Sequence, residues 1–180
     1  VTTIDDGTLQ LGNAAALGAT GATQNTIVNP GGTLDLHSQN VSEPITLAGG
    51  TLANYGSANA YATGLITVSA DSVIDTTGGY WMRVDHVTGN GDLEIQGGST
   101  GVWVDATGSG WSLNGDVTIT SGNLDVKQTY QVDADRIIAD GGRLQLIGTN
   151  NTPADEEIIV SSGGTLQIYN SQQAAILRLV

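Results

Sequence analysis

The sequence predicts an all-β fold: a right-handed parallel β-helix (β-solenoid) with about 20 residues per turn, built as a single segment over residues 1–180. Three observations carry this. A short phrase keeps returning, its residues alternate apolar and polar, and a Gly-rich corner precedes it.

The phrase reads GTLQLG at Gly7–Gly12, GGTLDLHS at Gly31–Ser38 and GGTLANYG at Gly49–Gly56. It returns as GDLEIQGG at Gly91–Gly98, GNLDVKQ at Gly122–Gln128, GGRLQLIG at Gly141–Gly148 and GGTLQIYN at Gly163–Asn170, with a degenerate copy at Ser72–Gly79. Its anchors are Leu9, Leu34, Leu52, Ile74, Leu93, Leu124, Leu144 and Leu166, separated by 25, 18, 22, 19, 31, 20 and 22 residues. The gap of 31 is read as hiding an extra partial turn with Val102, Val104 and Leu113. Stacked ladders of Leu34, Leu52, Leu93, Leu124, Leu144 and Leu166 are the expected core.

Inside the phrase, Leu34 and Leu36 flank Asp35, and Leu144 and Leu146 flank Gln145. That is period two, a strand with one dry and one wet face. A second short strand precedes many copies: Thr26–Val28, Ile45–Leu47, Ile66–Val68, Val117–Ile119 and Ile158–Val160. Between the two lies a corner such as Asn29-Pro30-Gly31-Gly32, where Gly supplies the positive φ of a sharp bend. A β-sandwich gives strands every 8–12 residues or so, but no reason for one phrase to return. Ser171–Val180 reads as the next strand or a capping element.

Composition narrows function. The chain has 18 Asp and Glu against 5 Lys and Arg, a net charge of −13, and its cations are scattered in sequence. Phosphate recognition needs clustered Lys and Arg, so nucleic acid is not an expected partner. No apolar run approaches the roughly 20 residues of a membrane helix, so membrane insertion by this segment is not expected either. Hydrophobic residues make up 39 %, too many for an acidic disordered tail. Val1 starts inside a strand-like stretch with no charged start or apolar core before it, which fits a fragment of a longer chain.

The stretch Thr2–Gly18, TTIDDGTLQLGNAAALG, resembles the autotransporter-associated β-strand repeat, also called the passenger-associated transport repeat. Thr2-Thr3-Ile4, Gly7-Thr8-Leu9-Gln10-Leu11-Gly12-Asn13 and Ala16-Leu17-Gly18 follow that family's line in order, and Thr26–Leu36 looks like its continuation. The resemblance implies a right-handed β-helix in a bacterial autotransporter passenger or other large surface protein. It also implies an extracellular or cell-surface location and work in adhesion or self-association. The chain lacks the series of alternating segments that a C-terminal membrane barrel needs.

Chemistry is sparse. Asp71/Asp75, Asp133/Asp135 and Asp155/Glu156/Glu157 could supply acid/base pairs, since glycosidases need two carboxyls about 5–9 Å apart. No Cys, no Gly-x-Ser-x-Gly elbow and no calcium-binding nonapeptide is present, and His37 and His86 stand alone. No catalytic residue, metal or cofactor is therefore expected, and the chain is not read as an enzyme. One binding feature stands out. Every aromatic is Trp or Tyr, and Tyr61, Trp81 and Trp103 lie 20 and 22 residues apart, near the repeat. In a solenoid that spacing stacks them into an exposed column suited to sugar rings or a second rod, unless they fill corners or cover the core edge. The expected function is a structural stalk with an adhesive or self-associating surface, its partner a glycan, a cell-surface receptor or another copy. A polysaccharide-degrading enzyme on the same fold and a passive spacer are the alternatives.

Overall fold

A computed structural model describes residues 1–18, 25–104, 110–127, 131–170 and 176–180. Among them are twenty-one strands, every pairing parallel, and no helix. The chain coils through three faces in turn. The first face takes Thr2–Ile4, Thr26–Val28, Ile45–Ala48, Trp111–Leu113 and Val132–Asp133. The second takes nine strands, from Gly7–Gln10 to Ile176–Leu179. The third takes Asn40–Val41, Gly101–Val104, Asn123–Val126, Arg143–Leu146 and Thr165–Ile168. Two long strands, Ala60–Ala70 and Met82–Gly89, serve the third face with their first halves and the first face with their second. Their register shifts between Val84 and His86, where the chain bends from one face to the other.

On the second face one inward ladder runs Leu9, Leu34, Leu52, Ile74, Ile95, Ile119, Ala139, Val160, Leu179. Its rungs are about 21 residues apart. At about 4.8 Å per rung the rod rises roughly 40 Å. Leu34, Leu52, Ile74, Ile95, Ile119 and Ala139 are fully buried, each large rung contributing about 1.5–3 kcal/mol of apolar transfer. Leu177, Leu179 and Val180 are exposed. Of the tail, Ile176–Leu179 is a strand paired to Glu157–Val160, and residues 171–175 lie outside the described residues.

The expected stacked ladders are present, with Leu34, Leu52, Leu93, Leu124 and Leu144 fully buried and Leu166 partly so, but the phrase anchors divide among several ladders. Leu9, Leu34, Leu52 and Ile74 do stack, but Leu93 opposes Ser72 and Val117 in a neighbouring ladder. Leu124, Leu144 and Leu166 stack on the third face, above Val102. The phrase has moved one face around the coil, and the gap of 31 residues contains that extra part-turn. Corner geometry travels with it. Gly31 (φ 87°) bends the chain from first to second face, and Gly141 (φ 88°) makes the same bend from second to third.

Candidate functional site: the outer row of the third face

The third-face strands alternate. Inward lie Ala60, Met82, Val102, Leu124 and Leu144, all fully buried. Outward, one residue per coil, lie Asn40, Tyr61, Arg83, Trp103, Asp125, Gln145 and Gln167. Flat stacking of parallel coils thus brings seven polar or aromatic side chains into one file.

The predicted aromatic residues come together here. The Trp103 ring lies 6.0 Å from Tyr61, edge-on, and 5.7 Å from Trp81, tilted. Tyr61 and Trp103 stand two coils apart and lean across Arg83, whose guanidinium carbon is 5.9 Å from the Tyr61 ring centre. Trp81 is set by its backbone: Ala60 N–H and the fully buried Asn54 amide both donate to its carbonyl, at 3.1 and 3.2 Å. The file is not the fully exposed column expected. Tyr61 and Trp81 are half-buried, while Trp103 is only 9 % exposed beneath its neighbours. Trp103 Nε1 is buried with no hydrogen-bond partner. Trp111, a core rung of the first face, donates its own Nε1–H to Val84 O at 3.1 Å. A purely structural indole is normally satisfied in that way, and an orphaned donor costs about 1–3 kcal/mol.

Three of the 5 basic residues, scattered in sequence, lie on one face. Arg83, Lys127 and Arg143 belong to this face. Arg83 is held by Asp85 at 2.7 Å, a carboxylate buried at the bend of its strand. Lys127 Nζ sits 4.8 Å from the Trp103 ring centre, a cation–π contact. Arg143 donates from Nε to Asn123 Oδ1 at 2.8 Å. Gln145, oriented to suit both neighbours, donates to Asp125 at 2.7 Å and accepts from Arg143 at 3.1 Å. Burial pushes the Asp125 carboxyl up to about 6, although Arg143 and Lys127 pull it the other way. Sequence reading found the rings but missed these cations and Asp125. Only the register reveals that Asp125 stacks directly on Trp103.

The predicted carboxylate pairs divide. Asp71 and Asp75 face separate tasks: Asp71 accepts from Asp92 N–H at 3.1 Å, and Asp75 from Tyr55 OH at 2.7 Å and Thr77 N–H at 2.7 Å. Both lock corners. Asp133, Asp135, Asp155 and Glu156 do gather, around an opening of about 200 Å3. Glu156 is 3 % exposed; one oxygen accepts Ala134 N–H at 3.2 Å and the other is unpartnered. Burial, reinforced by Asp133, Asp155 and Asp135, raises its carboxyl to about 7. Glu157 is held apart, beside Arg178 at 3.5 Å. Among the described residues no group of three or more Asp, Glu or His is placed to hold a metal ion. His37 occupies a corner with φ 47°, its ring 3.3 Å from Asp35, and His86 lies half-buried on the first face.

Comparison with known proteins finds no matching family model, no matching curated protein and no matching solved structure.

Proposed function

We propose that this chain is a β-helical segment of a bacterial surface protein, working outside the cell as a rigid stalk that carries an adhesive face. The observation that carries the reading is the outer row of the third face. There Tyr61, Trp81 and Trp103 meet Arg83, Lys127 and Arg143, in a chain with 5 basic residues in all. Aromatic faces flanked by planar hydrogen-bonding side chains suit saccharide rings, whose axial C–H groups stack on π surfaces while their hydroxyls bond to amides and guanidinium groups. The resemblance of Thr2–Gly18 to the autotransporter repeat supports the location and the adhesive role.

The test is a panel of immobilised glycans and bacterial cells probed with the purified chain and with Trp81→Ala. Retention of the parent chain on at least one glycan, lost in the variant at an unchanged circular-dichroism spectrum, supports the reading. Absence of retention throughout leaves a passive spacer as the better account.

A second reading has one observation in its favour. Glu156, with a carboxyl near 7 beside Asp133, Asp135 and Asp155, has the character of a general acid. If the chain is a polysaccharide hydrolase, reducing ends are released from a glycan panel and Glu156→Gln abolishes the release. The adhesive reading expects none.

A further inference from the structure

In a chain this acidic, a cation should find a carboxylate. Three of the five do: Arg83 with Asp85, Arg136 with Asp116 and Arg178 with Glu157. The other two, Lys127 and Arg143, make no carboxylate ion pair among the described residues. Lys127 lies on the Trp103 ring, and Arg143 is held by the neutral amides of Asn123 and Gln145. Both stand in the same stretch of the third face: Arg143 occupies the coil next to Asn123–Val126, and Lys127 directly follows that strand. The acid between them, Asp125, is 7 % exposed and hydrogen-bonded to Gln145. Past the rings of Tyr61, Trp81 and Trp103, the third face therefore carries two cations that form no carboxylate ion pair among the described residues, with the Asp125 carboxylate between them.

From this juxtaposition we infer that the third face takes a carboxylated polysaccharide, laid along the rod axis, with the half-buried Tyr61 and Trp81 rings under its sugar faces and Lys127 and Arg143 on its carboxylates. The inference rests on the adhesive reading of the same face and names its ligand class. Charge complementarity selects the anion. Guanidinium and ammonium bonds to carboxylate are among the stronger polar contacts available, and they act here on a rod that repels anions elsewhere. Coil spacing favours the direction. Successive outer side chains recur about every 4.8 Å, close to the length of one sugar residue, so a linear chain along the axis meets one coil per sugar. Arg83 is excluded from the anion site because Asp85 already holds it, and its role is to fix the Tyr61 ring.

The experiment compares polygalacturonate with the same polymer fully methyl-esterified, which keeps the rings and removes the charge. Binding of the 180-residue chain to each is measured by biolayer interferometry, with Lys127→Gln, Arg143→Gln and Trp81→Ala as variants and their melting temperatures as fold controls. The expected result is binding to the acid form at least about tenfold tighter than to the ester, the energy of one charge-assisted hydrogen bond. Each cation variant should lose about that factor on the acid form while changing little on the ester, and Trp81→Ala should weaken both. Equal binding to acid and ester, weakened by Trp81→Ala, overturns the ligand class and leaves the adhesive face standing. Acid-selective binding indifferent to all three variants overturns the site. Failure to bind either polymer overturns the ligand class, and the glycan panel then decides the adhesive reading separately.

Discussion

One outward row of the second face and the outer row of the third are built from the same coils yet differ in kind. Outward along the second face run Thr8, Thr33, Thr51, Val73, Glu94, Thr118, Ile138, Ile159 and Arg178. All but Glu94 and Arg178 are β-branched, the residues a pleated surface prefers. Outward along the third face run Asn40, Tyr61, Arg83, Trp103, Asp125, Gln145 and Gln167, no two neighbours alike until the last pair. Inward, both faces carry near-uniform aliphatic ladders. Repetition thus marks positions where the only demand is to stack, and variety marks the row with another task. In a solenoid, departures from the repeat on one face are a better pointer to function than any single residue.

That contrast can be sharpened first inside the rod. Leu124→Ala, at a fully buried rung between Val102 and Leu144, should cost about 2–5 kcal/mol. Urea denaturation followed by circular dichroism measures it. A loss below about 1 kcal/mol would mean that the ladders do not carry the stability assigned to them.

The next effect concerns pH. Glu156 is raised from 4.5 to about 7, and Asp125 from 3.8 to about 6, in both cases chiefly by burial. A carboxyl raised on folding binds its proton more tightly in the folded state. Its contribution is therefore fully present below the unfolded value and lost as pH rises through the folded one. For Glu156 the loss falls between about pH 4.5 and 7. Glu156→Gln, which keeps an acceptor for Ala134 N–H, should raise stability at pH 8 by about 1–3 kcal/mol and flatten this part of the profile. Differential scanning calorimetry at pH 4.5 and 8 checks it; a variant less stable at pH 8 would show that the ionised carboxylate is held by a favourable contact.

The smallest effect belongs to the uniform exterior. Thr33→Ala on the second face should change stability by about 0.5 kcal/mol or less, because Thr33 only contributes strand preference there. A drop comparable to that of Leu124→Ala would mean that the outer β-branched row is a second packed layer.

Much of this architecture was legible in the sequence. Period-two alternation and the returning phrase dictated parallel coils. Tyr61, Trp81 and Trp103 do meet, but not as the column their spacing implied, because Arg83 stacks between Tyr61 and Trp103 and Trp81 reaches Trp103 from two residues before Arg83. The face shift was not legible. A strand, a Gly corner and a strand form a local unit, and its local chemistry is identical whether it turns from first to second face at Gly31 or from second to third at Gly141. Leu93 and Leu124 consequently look equivalent and are not. The same shift hid the meeting of Asp125 and Lys127 with Trp103, since it depends on counting coils of unequal length. The partial burial of Trp103 was likewise invisible, because cover comes from neighbouring coils rather than from its own strand.

The central claim is that the third face, and not the second, meets the ligand. Its most direct test pairs one variant on each: Trp81→Ala and Glu94→Ala, both at half-buried outward positions. Each is titrated by isothermal calorimetry with the glycan that the panel retains best. The account predicts at least about a tenfold loss of affinity for Trp81→Ala and no more than about a twofold change for Glu94→Ala, with both variants folded. Equal losses on the two faces, or a loss confined to Glu94→Ala, would contradict it.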